Sequence, residues 1–209
     1  CVSRALRSLK IRLNDSSWSS KAARAKGLRR LALIQLGSRD ALDDKEFAKR
    51  VAELAIRKQV PIALRAAASI NKQPLHKQAL LDAANKCEIE GSRQSALDAR
   101  EVAREARRAA YAYAYAYADA VAAAAAAADA AAYAAADAVA DAAADAAAYA
   151  AADAAADAAA AADAVADVAA YAAAARDKIL SDFAEDVVQI LIDMKVPGVQ
   201  WLPLTEVQP

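Results

Sequence analysis

The stretch DAAAYAAADAVADAAADAAAYAAADAAADAAA, residues 129–160, decides the fold of this chain. It consists of two sixteen-residue copies that differ at one position, which is Val139 in the first copy and Ala155 in the second. Alanine has the highest helix propensity of all residues, and neither Gly nor Pro occurs between Arg93 and Val196. The region therefore predicts helix throughout. We include AYAYAYAY at 110–117, which mimics the alternation of a strand but has no neighbouring strand candidate to pair with.

The polar residues of this region recur every fourth position. On a helix of 3.6 residues per turn each such step rotates by about 40°, so the row spirals and no single face stays apolar. One straight helix would be on the order of 100 Å long and could not keep one stripe buried. We therefore favour shorter helices that fold back on one another, with aspartates capping some N-termini. One long helix is the alternative.

Short helices are predicted before the repeat. Gly37 follows an apolar run and suits the C′ position of a helix. Asp40 can then cap a helix that ends where Val60 precedes Pro61, because the residue before a proline disfavours the helical conformation.

Further along, Pro61 and Pro74 suit first helical positions, and Gly91 with Ser92 predicts a helix stop followed by a cap. Short connections favour antiparallel neighbours. The sequence thus predicts an all-α fold, a helical bundle or short α-solenoid of antiparallel helices with a tightly packed alanine-rich region. We expect a basic short-helix bundle at 1–92, a helical repeat region at 93–175, and a closing amphipathic helix with a tail at 176–209, packed as one domain.

A second repeat has one copy before the alanine-rich region and one copy after it. FAKRVAELAIRKQVP at 47–61 aligns with FAEDVVQILIDMKVP at 183–197, with six of fifteen positions identical. In both copies Phe, Val and Leu or Ile fall at i, i+4 and i+7, which is one helical face. We interpret the two segments as copies of the same helical unit. Chance similarity between amphipathic helices is the alternative.

Charge is strongly asymmetric along the chain. Residues 1–110 carry 24 Lys/Arg against 12 Asp/Glu, whereas 111–209 carry 3 against 15, so the halves are +12 and −12. We favour mutual screening, within the fold or across an oligomer, over a basic half that binds nucleic acid. If nucleic acid binds, it binds at one cluster with no acid among its members: Lys21, Arg24, Lys26, Arg29 and Arg30.

The residue types that carry catalysis are scarce. His76 is the single histidine and has no Cys, Asp or Glu at metal-ligand spacing. Nucleophile elbows and phosphate loops are missing from the sequence, which has four glycines. We predict no enzymatic activity, no cofactor, no metal and no small-molecule substrate.

Two cysteines, Cys1 and Cys87, are too few for a disulfide scaffold, which favours a reducing compartment. No uncharged apolar stretch approaches 18 residues, so we predict no membrane association. We expect a soluble cytoplasmic protein, or a virion-associated one if the source is a phage.

Two further functions, calcium binding and ice binding, have to be weighed for the alanine-rich region with its row of aspartates. Calcium needs six to eight converging oxygens, which a spiralling row does not supply, so we expect solvated aspartates that keep the surface soluble. Ice binding is a further alternative for alanine-rich helices, although the chain has one threonine, Thr205, and no eleven-residue period.

Three segments resemble alanine-rich bacterial and phage proteins labelled as immunity proteins: CEIEGS at 87–92, the Ala/Tyr/Asp block after it, and RDKILSDFAEDVVQILIDMKVPGVQWL at 176–202. The resemblance implies an all-helical protein that neutralises a toxin, and it transfers no site residues.

We therefore predict a non-enzymatic interaction module for a basic protein partner. Its recognition surface is expected in the short N-terminal helices and in the closing segment to Trp201. The alternatives are a self-associating structural component, for example of a phage particle, and an ice-binding protein.

Overall fold

The computed structural model describes residues 2–112, 126–132, 150–158, 160 and 169–205, and all regular structure in these ranges is helical. The helices are α1 (Arg4–Asn14), α2 (Lys21–Ile34), α3 (Asp44–Leu54), a π-helical turn (Ala55–Gln59), α4 (Val60–Ile70), α5 (Pro74–Glu90), α6 (Arg93–Ala112), helical segments at 126–132 and 150–158, α7 (Ala169–Asp193) and a 3₁₀ segment (Pro197–Thr205). The predicted all-α class is confirmed.

Two predicted helix boundaries are wrong. The N-cap of α3 is Asp43, whose carboxylate accepts from the backbone N–H groups of Lys45 and Glu46, and Asp40 lies in the preceding turn. A cap must reach the N–H groups of the second and third helical residues, which Asp43 does and Asp40 does not. The helix also continues past Pro61 and does not end at Val60.

A π-helical turn explains how the chain stays helical through Pro61. The Val60 N–H donates to the carbonyl of Ala55, five residues back, and Pro61 follows as the second residue of α4. A proline inside a regular α-helix removes one hydrogen bond and clashes with the preceding turn. The extra residue of the π turn changes the hydrogen-bond register just before Pro61, so the proline stands near the start of a new helix.

The predicted boundaries at Pro74, Gly91 and Ser92 are confirmed. Gly91 is the left-handed C-cap of α5, with φ +58° and its N–H on the Cys87 carbonyl, and Pro74 is the first residue of α5. Ser92 and Ser95 cap each other at the start of α6, because each hydroxyl accepts from the backbone N–H of the other residue. Gly37 has a left-handed φ of +76° but lies one residue beyond the predicted C′ position, because the C-cap of α2 is Gln35.

The closing helix α7 packs on the N-terminal half of the chain. It contacts α2 and α3, and the 3₁₀ segment contacts α2. The two copies of the second repeat contribute equivalent residues to the core, since Phe47 and Phe183 are both fully buried, as are Val51 and Val187. Buried residues from 1–92, 93–175 and 176–209 belong to one hydrophobic cluster.

The described alanine-rich segments are packed into this core. Their fully buried alanines are Ala128, Ala131, Ala132, Ala151, Ala152, Ala154, Ala155 and Ala158. Arg104 Nε lies 3.1 Å from Asp129 Oδ1, whereas one straight helix would separate these two positions by about 37 Å. Arg104 and Asp129 therefore do not lie on one straight helix, which excludes one straight rod through both positions. Positions 113–117 of AYAYAYAY lie outside the described residues.

Close contact between the 3₁₀ segment and the end of α2 yields a stability prediction. A Cβ atom on Gly198 would overlap the backbone carbonyl of Ile34, whereas one on Gly37 would meet Pro197 Cβ at an ordinary 3.4 Å. Gly198→Ala should lower the free energy of unfolding by more than about 2 kcal/mol, because two backbones must separate. Gly37→Ala should cost about 1 kcal/mol, from its left-handed φ alone. Urea denaturation measures both, and equal losses would contradict the close approach of the two backbones at Gly198.

Candidate functional site

The predicted basic cluster on α2 is partly engaged inside the fold. Arg30 forms an ion pair with Glu185 of α7. Arg29 donates to the Leu204 carbonyl at 3.3 Å, and Arg24 donates to the Asn14 carbonyl at the same distance. Lys21 and Lys26 are exposed. Three of the five side chains therefore have partners within the fold, and the role of the cluster in binding stays a prediction.

Trp201 lies in the 3₁₀ segment and is 42% exposed, near in sequence to the exposed Leu204. Its predicted role as a contact residue is compatible with this exposure and stays a prediction.

The described aspartates of the repeat are not simply solvated, which corrects the prediction made for them. Asp129 is 14% exposed and lies 3.3 Å from Arg100 Nε and 3.6 Å from Arg107 Nη1, beside Arg104. Asp153 pairs with Arg12 of α1. These aspartates attach the alanine-rich segments to helices of the basic half, so the opposite charges screen each other within the fold.

Asp157 lines a cleft of about 280 Å³ between the end of α1, the segment 150–158 and α7. Burial, with a smaller contribution from the Asp153 carboxylate, raises the pKa of Asp157 to about 6. Among the described residues no group of His, Cys, Asp and Glu side chains could hold a metal ion.

A larger groove, of about 430 Å³, lies between the two copies of the second repeat. We call it the inter-repeat groove. One wall comes from the π turn and from α4 and α5, and the other wall comes from α7. The lining residues are Arg57, Lys58, Gln59, Ile62 and Glu88 on the first wall and Ile179, Asp182, Glu185 and Asp186 on the second.

The inter-repeat groove contains four carboxylates and two cationic side chains, and its carboxylates form ion pairs. Lys58 Nζ lies 2.6 Å from Asp186 Oδ1 and bridges the two walls. A hydrogen bond from Arg65 lowers the pKa of the Glu88 carboxyl, so this group is ionised at neutral pH. All these pairs are at the surface, where an ion pair contributes about 0–1 kcal/mol. They can therefore exchange with charges of a bound partner.

Gln59 distinguishes this groove from an ordinary charged surface. Its side chain is 2% exposed, and its Oε1 has no hydrogen-bond partner among the described residues. A buried acceptor without a donor costs about 1–3 kcal/mol. Gln59 is also the last residue of the π turn, and π turns inside helices frequently occur at functional sites.

Sequence reasoning missed this site. Aligned positions of the two copies carry opposite charges, Lys49 against Glu185 and Arg50 against Asp186. The structure pairs Glu185 with Arg30 and Asp186 with Lys58 instead, so the reversal does not identify the groove. The sequence also gives no indication that Gln59 is buried, because its burial depends on helices distant in sequence.

The raised pKa of Asp157 predicts how stability depends on pH. The folded chain retains this proton up to about pH 6, whereas an unfolded chain releases it near pH 4. The free energy of unfolding should therefore fall between about pH 4 and pH 6, by about 1–2 kcal/mol for a partly exposed group. Asp157→Asn should be more stable than the wild type at pH 7 and equal to it at pH 4, measured by urea denaturation. A constant difference across this range would contradict the assignment.

Comparison of the chain with models of protein families, with curated proteins and with solved structures found no match in any of the three. Within the described ranges, none of the helices combines the length and the apolar character needed to cross a membrane.

Proposed function

We propose that the protein is a non-enzymatic helical interaction module that binds a basic segment of a partner protein in the inter-repeat groove. The observation that carries this proposal is the acidic lining of the groove, in which four carboxylates face two cationic side chains. A lysine or arginine side chain of a partner supplies the complementary charge.

The lining of the groove favours a cation over an anion. Its own side chains carry four negative charges, on Glu88, Asp182, Glu185 and Asp186, against two positive charges. Each of these carboxylates is held in a surface ion pair, with Arg65, Lys178, Arg30 and Lys58 in that order, and a cationic side chain of a partner can replace one of these cations. Ile62 and Ile179 add apolar surface, against which the methylene stem of a lysine or arginine can pack while its charged end meets a carboxylate. The groove therefore fits an amphipathic basic side chain.

The size of the groove limits the strength of binding. A volume of about 430 Å³ holds one or two side chains, so the groove alone gives weak, salt-sensitive binding. A partner would gain further affinity from contacts outside it. A basic toxin is the kind of partner that the resemblance to immunity proteins implies.

The proposal of a non-enzymatic role is supported by the state of Cys87. Burial raises the pKa of its thiol to about 11, and the thiol donates to the Ser95 carbonyl. It is therefore protonated at neutral pH and is a poor nucleophile.

Self-association is the second candidate function. Lys21 and Lys26 are exposed on α2, and they offer a basic segment that the groove of another copy could accept. A phage-particle component and an ice-binding protein stay predictions from the sequence.

A titration with acetyl-hexalysine amide tests the proposal. Followed by ¹⁵N–¹H NMR, the peptide should shift the side-chain amide signal of Gln59 and the backbone signals of the π turn. Its fully Nε-acetylated form, which has no charge, should shift neither. Asp186→Asn should weaken binding about fivefold, the equivalent of one surface charge pair.

Asp193→Asn is the matched control for this experiment, because Asp193 lies on the same helix and is exposed but does not line the groove. Its affinity for the peptide should equal that of the wild type. Equal losses in the two variants, or shifts spread over the acidic surface, would show that the peptide binds by charge alone and would overturn the proposal.

A further inference from the structure

We infer that the exposed side of α2 and the 3₁₀ segment beside it form a binding surface for single-stranded nucleic acid. Phosphates of the strand contact Lys21, Lys26 and Arg29, and one of its bases stacks on Trp201. We call these four residues the α2 surface. The inference goes beyond the proposed function, because none of the four residues lines the inter-repeat groove.

The first two helices carry positive charge that the fold compensates only in part. Residues 4–34 include nine lysines and arginines and one acid, Asp15. Two of the nine cations, Arg12 and Arg30, form ion pairs with carboxylates of other elements. An excess of one sign of charge raises the local potential and attracts ligands of the opposite sign. A polyanion is therefore the class of ligand that this end of the chain attracts.

Three of these cations lie on the exposed side of α2. Lys21, Lys26 and Arg29 are all exposed, as are Ala22 and Ala25 between them. Within the described ranges Lys21 and Lys26 have no carboxylate partner, and α2 itself contains no acid. The helix spreads the three charges over about 12 Å. Charges distributed in this way match the repeating charge of a phosphate backbone better than they match one small anion.

The 3₁₀ segment places an aromatic side chain beside these cations. The segment runs antiparallel to α2, and its Gly198 lies against the backbone of Ile34. Near its other end, the guanidinium group of Arg29 donates to the Leu204 carbonyl at 3.3 Å. Trp201 lies midway between these two contacts and is 42% exposed. The segment is therefore fixed on α2 on both sides of Trp201, which offers a held aromatic surface next to Arg29.

The combination of cations with an aromatic side chain favours nucleic acid over other polyanions. Proteins that bind single strands use cations along the backbone and aromatic side chains on which the bases stack. An acidic peptide or a lipid headgroup supplies negative charge, but not a flat ring beside every charge. A single strand is favoured over a duplex, because its unstacked bases can reach an aromatic side chain.

Binding of an oligothymidylate of about twelve nucleotides tests the inference. Trp18→Phe leaves Trp201 as the one tryptophan of the chain, and stacking of a base should quench its fluorescence. The logarithm of the association constant should fall with the logarithm of the salt concentration with a slope of about −2, because each of three phosphate contacts contributes about −0.7. Absence of quenching, or a slope near zero, would contradict the inference.

Two variants that each remove one exposed lysine test the position of the site. Lys26→Gln should weaken binding about fivefold at low salt and reduce the slope by about 0.7. Lys77→Gln is the matched control, because Lys77 is also exposed but lies on α5, which packs against α4 and α6. Its affinity and slope should equal those of the wild type. Equal losses in the two variants would show binding by net charge alone and would overturn the inference.

Replacement of the tryptophan tests the stacking contact, with affinity measured by the fluorescence anisotropy of a labelled oligonucleotide. Trp201→Ala should weaken binding about tenfold, whereas Trp201→Phe should retain most of the affinity because it keeps a ring. Circular dichroism establishes that each variant is folded, and Trp201→Leu replaces Trp201→Ala if the latter is not. Equal affinities of the alanine or leucine variant and the wild type would contradict stacking.

Poly-glutamate and vesicles of phosphatidylglycerol distinguish nucleic acid from the other classes of polyanion. Both should bind more weakly than the oligonucleotide at equal charge, and neither should depend on Trp201. Binding of either one as tightly as the oligonucleotide, with the same loss in Trp201→Ala, would identify an acidic protein or a membrane as the partner and overturn the inference. None of these results depends on whether acetyl-hexalysine amide binds in the inter-repeat groove, so the two proposals fail separately.

Discussion

The structure depends on the packing of α7 against the N-terminal helices. Leu180, Phe183, Val187 and Leu191 of this helix are all fully buried, and a buried side chain of this size contributes about 1.5–3 kcal/mol. An alanine contributes one methyl group, or about 0.8 kcal/mol. The alanine-rich segments therefore add to a core whose largest members come from elsewhere. The inter-repeat groove forms where α7 lies beside the π turn. The packing of α7 therefore creates the site and also stabilises the fold.

Electrostatics explains how a chain with two oppositely charged halves forms one structure. Arg12 pairs with Asp153 and Arg104 with Asp129, which joins alanine-rich segments to the basic half. Arg30 pairs with Glu185 across the interface of α2 with α7. Each pair contributes little alone, but together they select which surfaces meet. Lys58 pairs with Asp186 in the same way and joins the π turn to α7 across the inter-repeat groove.

Sequence alone was sufficient for features that depend on local chemistry. High helix propensity predicted the all-α class, and Gly91 with Ser92 predicted a stop and a cap because few residues adopt those conformations. The helix end at Val60 was wrong, since a π turn differs from an α-helix by one residue and leaves no trace in hydrophobic periodicity. The partners of Arg29 and Arg30 in the basic cluster on α2 could not be predicted either, because they lie 175 and 155 residues away in the sequence. The burial of Gln59 depends on such distant contacts too, and so the groove could not be predicted.

Native-state hydrogen exchange tests most directly whether docking of α7 stabilises the whole fold. With increasing denaturant, backbone amides in the buried part of α7, from Leu180 to Leu191, and those in α2 and α3 should converge on one free energy of opening, because these helices unfold together. Separate opening of α7 at a clearly lower free energy, with α2 and α3 still protected, would contradict the account, since the inter-repeat groove would then lose one wall without loss of the fold.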